Sequence, residues 1–135
     1  REMLVDTGFK TGPIESPGGW NCYITNVIKE ADYANRWRAK TKEVRNHVAE
    51  IWSSVLAWEL DNSKPKLVVI LGGPAEALLK HLQNNARINL PHLEKIKHYA
   101  YIGQRAEGKL GPMHPDRVDR YKIDFRNIRK IYDRL

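Results

Sequence analysis

The chain has 135 residues, with 23 Lys and Arg against 16 Asp and Glu, a formal net charge of +7. That is length for one domain, residues 1–135, around one core; the charge favours a polyanionic partner, and no stretch approaches the ~18 apolar residues of a membrane span. The single Cys22 excludes an intrachain disulfide and argues against a Cys-ligated metal cluster, which fits a reducing compartment.

In chain order, Leu4 and Val5 ahead of Gly8 read as the last turn of a helix with Gly8 at C′. A sequence that opens inside a helix is expected to continue upstream. Phe9 to Gly19 holds Gly and Pro without periodicity and reads as a loop. Trp20 to Ile28 is β-branched and aromatic, so it is expected to be a strand buried on both faces. Asn26 then falls near its carboxyl end, the edge where open α/β sheets bind ligands. Its amide has two readings: a reader of an amide-bearing ring such as a nucleobase, or a turn former after the strand.

Glu30 to Lys40 is expected to be a surface loop. Its Tyr33 and Trp37, interleaved with Arg36, Arg38 and Lys40, serve either nucleic-acid contact or packing. Thr41 to about Asp61 is helical, capped by Thr41. Val44, Val48, Ile51, Val55 and Trp58 form a stripe widened by Trp52, Leu56 and Leu60, expected to face the core. Lys66 to Leu71 is a second buried strand. Gly72-Gly73-Pro74 opens a helix whose apolar face is Ala77, Leu78, Leu79 and Leu82. A strand, glycine turn and helix can present backbone N–H groups to a phosphate, or can simply need glycine for the turn.

Gln83 to Leu90 reads as loop, Pro91 to Lys95 as a short helical turn, and Lys97 to Ile102 as a third strand. Gly103 to Gly111 is a basic loop, followed by Pro112 to Arg117. Asp124 to Leu135 is a last amphipathic helix, with Asp124 as its N-cap. The alternation of strands and helices argues an α/β fold, a three-layer α/β/α sandwich around a short, mostly parallel sheet. Asn26, Gly72-Gly73 and His114 all follow strands, so one edge is expected to gather an amide, a phosphate nest and an imidazole.

Tyr23-Ile24-Thr25-Asn26-Val27-Ile28-Lys29 with a following helix, then Pro65 to Gly72, then His114-Pro115, resembles the uracil-DNA glycosylase superfamily, in order and over most of the chain. The resemblance implies that Asn26 reads the uracil edge. It implies that His114 donates to the uracil carbonyl as charge develops on the leaving base. Gly72 and Gly73 would hold a DNA phosphate, and the loop after His-Pro, with Arg117 and Arg120, would contact DNA. A stacked base must be flipped into a pocket to be reached, and fixed donors aimed at the developing anion lower the barrier.

The chain departs from the family in three places. The family's Gly-rich opening motif, which positions the attacking water, is absent and is expected upstream. The cysteines of the iron–sulfur branch are absent, so no cluster, metal or other cofactor is expected. Asp116 stands where a small hydroxyl residue is usual, a carboxylate that Arg117 would have to offset near phosphate. Two hypotheses follow: a DNA glycosylase acting on uracil or a related base, and a catalytically inactive glycosylase-like domain that binds nucleic acid or a protein. A nucleotide-binding α/β domain is a weaker third. The expected partner is DNA, single- or double-stranded, with no membrane contact and a monomeric state. With no signal-peptide pattern, the expected location is a prokaryotic or viral cytoplasm or a nucleus, not outside the cell.

Overall fold

The computed structural model describes residues 2–103 and 114–135. Among them the chain is a mixed α/β protein with five α-helices and a two-stranded parallel sheet. The helices are α1 (Glu2–Asp6), α2 (Ala34–Ala39), α3 (Lys42–Ser63), α4 (Gly73–Asn84) and α5 (Pro115–Tyr132). The strands are β1 (Leu67–Leu71) and β2 (His92–Ile96).

Strand β1 is five aliphatic residues in a row, as a strand covered on both faces requires. Side chains alternate along it. Val68 and Ile70 pack with Ala49 and Leu56 of α3 and Leu78, Leu79 and Leu82 of α4. Leu67, Val69 and Leu71 pack with Tyr121, Phe125 and Ile128 of α5. Helix α4 carries the chain from β1 to its parallel neighbour, with Leu67 opposite His92 and Leu71 opposite Ile96. The carboxyl ends of both strands therefore share one edge, where the Gly72 N–H donates to the Ile96 carbonyl at 2.9 Å.

Local chemistry sets the element ends. The Thr41 side chain accepts from the Val44 N–H and caps α3 as expected. Gly8, at φ +73°, follows α1 in the left-handed conformation. Lys10 is buried, but its ammonium donates to the carbonyls of Ser16 (3.0 Å) and Gly18 (2.7 Å) and lies 4.8 Å over the Trp20 ring. Those partners meet the desolvation cost of the charge and fold the glycine loop back onto Trp20.

Several expectations are corrected. Trp20 to Ile28 is not a strand: Trp20 makes a single antiparallel bridge to Lys10 and the rest is irregular. A strand needs a ladder partner, and the described residues supply none. Side chains anchor the segment instead. Tyr23, Thr25 and Lys29 all bond to the Glu59 carboxylate of α3, Lys29 at 2.5 Å, while Val27 and Ile28 pack on the core. The third strand expected over 97–102 lies earlier, at His92–Ile96, where a short helical turn was expected. Its polar residues are exposed or half-buried and paired, His92 with Glu94 and Lys95 with Glu76, and a 3-10 helix, Tyr99–Gly103, takes the later position.

Helix α5 starts at Pro115, with His114 rather than Asp124 at its N-cap. Proline at the first helical position is pre-set for the turn. Val118, Tyr121, Phe125, Ile128 and Tyr132 then continue the helical period. The surface loop expected over 30–40 contains α2; Trp37 packs against the core and Tyr33 stays exposed. The stripe of α3 is rotated from expectation. Ala49, Ser53 and Leu56 are buried, whereas Ile51 is 61% and Trp58 64% exposed, with Val44 and Val55 exposed beside them. No helix among the described residues is long and apolar enough to cross a membrane.

Candidate functional site

Three segments meet beyond the carboxyl ends of the strands. The first, β1, runs into Gly72 and α4. From β2 the chain passes through Lys97 and His98 into the 3-10 helix. Helix α5 begins against that helix, the His114 N–H donating to the Ile102 carbonyl at 3.0 Å. Gly72 has φ +89° and ψ 166°, backbone that only glycine enters readily.

The side chains gathered here are basic and aromatic. Lys97 Nζ lies 3.9 Å, and Arg117 Cζ 4.9 Å, from the centre of the Tyr101 ring. Arg117 Nη1 also donates to the Tyr101 carbonyl at 3.0 Å. Hydrogen bonding from Lys97 holds the Tyr101 phenol below its ordinary value; burial opposes this, and Arg120 adds a second hydrogen bond and its charge. Next to this group the His98 and Tyr99 rings stand 4.0 Å apart, tilted by 36°.

Elsewhere four lysines are matched to carboxylates, Lys29 to Glu59, Lys40 to Asp32, and Lys80 and Lys95 to Glu76, while others among the described residues, such as Lys42, Lys64 and Lys66, are not. Among the described residues Lys97 and Arg120 make no ion pair. The Lys97 and Arg120 charges on one phenol repel one another, and an anion placed between them relieves that repulsion.

The expected site residues divide. His114, Arg117 and Arg120 lie on or just before the first turns of α5, beside the 3-10 helix, with His114 exposed. Gly72 and Gly73 are at the same edge, but the Gly72 N–H is engaged by Ile96. Gly73, the first residue of α4, is among the first-turn positions whose N–H groups have no partner within the helix. Asn26 does not sit at a strand end. It is exposed between Thr25 and Lys29, both bonded to Glu59. Glu59 is one turn from the end of α3 that leads into the amino end of β1, so those anchors draw Asn26 away from the carboxyl edge.

The expected basic loop after Gly103, through Gly111, lies outside the described residues. Lys97, Tyr99 and Tyr101 were missed because 97–102 reads as a strand. An open cleft of about 480 Å³ near Leu60, Asp61, Arg87 and Asn89 contains none of the expected residues. Among the described residues no cluster of His, Cys, Asp and Glu is arranged to hold a metal ion. Comparison of the chain with protein-family models, curated proteins and solved structures found no match.

Proposed function

We propose that the domain binds DNA along the carboxyl edge of its parallel strands, phosphates meeting Lys97, Arg117 and Arg120. The observation that carries this reading is the convergence of those three cations on Tyr101. Phosphate contacts by Lys and Arg release counterions and supply sequence-independent affinity. This is the binding form of the resemblance to uracil-DNA glycosylases. The three-layer α/β/α arrangement belongs to the same reading; its support is that alternate side chains of β1 enter two separate clusters, one with α3 and α4 and one with α5.

The test is anisotropy of a labelled oligonucleotide over a salt series. The parent should weaken steeply with salt. Replacing both Lys97 and Arg120 by Ala should reduce the log–log slope by about two. An unchanged slope, or parent affinity indifferent to salt, overturns the reading.

A second reading is hydrolysis of the N-glycosidic bond of uracil or a related base. One observation favours it: His114 is exposed at the start of α5, joined through Ile102 to the helix that bears Tyr101. An imidazole there can donate to a base as negative charge develops on it. The position of Asn26 on the α3 side counts against it as the base reader. Uracil release that His114→Ala abolishes and Asn26→Ala leaves intact would support catalysis with another residue reading the base.

A further inference from the structure

Resting on the DNA-binding reading and narrowing it, we propose that this edge takes single-stranded nucleic acid. One base lies on the Tyr99 ring while neighbouring phosphates meet Lys97 and Arg120. Tyr99 is 64% exposed, although an aromatic ring in a folded chain ordinarily buries a large apolar area. One side of the ring is backed by His98 at 4.0 Å. That support is fixed on two sides. The Ala100 N–H donates to His98 Nδ1 at 3.2 Å, and His98 Cβ packs so close to Gly72 that a β-carbon there would lie only 3.1 Å from it.

Tyr99 is thus a braced platform with an open face. Tyr101 is not, because Lys97 and Arg117 lie over its ring. The other exposed tyrosines differ in their charges: Tyr23 donates to the Glu59 carboxylate, and Tyr33 follows the Asp32 carboxylate that Lys40 neutralises. Tyr33 also has the Arg36 guanidinium 5.2 Å over its ring, whereas among the described residues no cation lies over the Tyr99 ring, which follows Lys97 by two residues in the chain. Bases in a duplex are stacked on each other and present no free face, whereas a single strand offers one at every nucleotide. Stacking tolerates any base, so little sequence preference is expected.

The experiment is anisotropy at low salt with four labelled 12-mers: oligo(dT), oligo(rU), a duplex, and a single strand of abasic sites. They are titrated with the whole chain and with Tyr99→Ala, Tyr99→Phe and Lys97→Ala. Oligo(dT) or oligo(rU) should bind about tenfold more tightly than the duplex and the abasic strand. Oligo(rU) beside oligo(dT) shows which sugar the edge accepts, and equal binding to both supports the proposal. Tyr99→Ala should lose most of that preference with abasic affinity unchanged, and Tyr99→Phe should keep it. Equal affinity for all four probes overturns the proposal, as does a Tyr99→Ala variant weakened alike on every probe. Failure of the underlying reading is separate: no probe binds, or Lys97→Ala binds each as tightly as the parent.

Discussion

Gly72 and His98 approach so closely that a β-carbon on Gly72 would lie 3.1 Å from His98 Cβ. Together with φ +89°, this makes glycine a steric requirement of the turn from β1 to α4. Gly72→Ala is expected to cost about 1–3 kcal/mol and to disturb His98, hence the edge. Gly73 is one residue further on, inside the helix, with nothing within 4 Å of an added β-carbon. Gly73→Ala is expected to be neutral or to stabilise by up to ~1 kcal/mol through the unfolded chain. Urea unfolding of the two variants compares them directly. Equal losses would contradict the difference in packing.

Helix α3 offers a second paired comparison. Leu56 is 4% exposed in the core shared with β1 and α4, and Ile51 is 61% exposed. Leu56→Ala is expected to cost about 2–5 kcal/mol. Ile51→Ala is expected to stay within about 0.5 kcal/mol, as for surface positions generally. Equal costs at the two positions would mean that the Val44–Ile51–Trp58 face is covered after all.

Which parts of this were readable in advance follows from where each signal comes from. Helix α3, strand β1, the Gly72 turn and α4 were legible because local pattern and tertiary burial agree there. Thr41 caps, Pro65 interrupts, and a run of aliphatics lies between two helices. The face of α3 was not legible, since Val48, Ile51 and Val55 fit one helical stripe as well as Ala49, Ser53 and Leu56 fit another. Only the position of the sheet decides between them. Trp20 to Ile28 has strand propensity, but β structure depends on a partner that composition cannot supply. Conversely, His92–Ile96 looks too polar for a strand because only Leu93 and Ile96 pack on the core, and its pairing with β1 is a tertiary contact that the local pattern does not show. Of the candidate site, Gly72, Gly73, His114, Arg117 and Arg120 were reached from turn and motif chemistry. Lys97, Tyr99 and Tyr101 were hidden by reading that stretch as extended.

Glu76 gives the acid side of stability a specific origin. Its carboxylate accepts from Lys95 at 2.6 Å and pairs with Lys80 at 2.9 Å, and these partners bring its pKa from 4.5 to about 2. The unfolded chain therefore takes up a proton on Glu76 before the folded protein does. The stabilisation is complete above pH 4.5 and is lost as pH falls from there towards 2. Melting temperatures of the parent and Glu76→Gln should differ near neutral pH and converge near pH 2. A difference that persists at the acid end would assign the effect to packing.

Tyr101 and Tyr121 are displaced in opposite directions. Lys97 holds Tyr101 below the ordinary phenol value of 10, whereas burial, with the charge of Asp124 adding, pushes Tyr121 up to about 12. A depressed folded value contributes stability above the unfolded value that is lost as pH falls through the folded one. Tyr101 thus adds stability above pH 10 that is lost as pH falls below it. A raised value contributes stability below the unfolded value, lost as pH rises; Tyr121 thus weakens the fold between pH 10 and 12. Ultraviolet titration of the phenols should show Tyr101→Phe removing an early step and Tyr121→Phe the last. If Lys97 and Arg120 are the groups that meet phosphate, adding an oligonucleotide should move the early step upward, because phosphates draw those cations from the phenol. Tyr121, packed against the sheet, should not respond. An early step indifferent to the oligonucleotide would separate the Tyr101 cluster from the DNA-binding face.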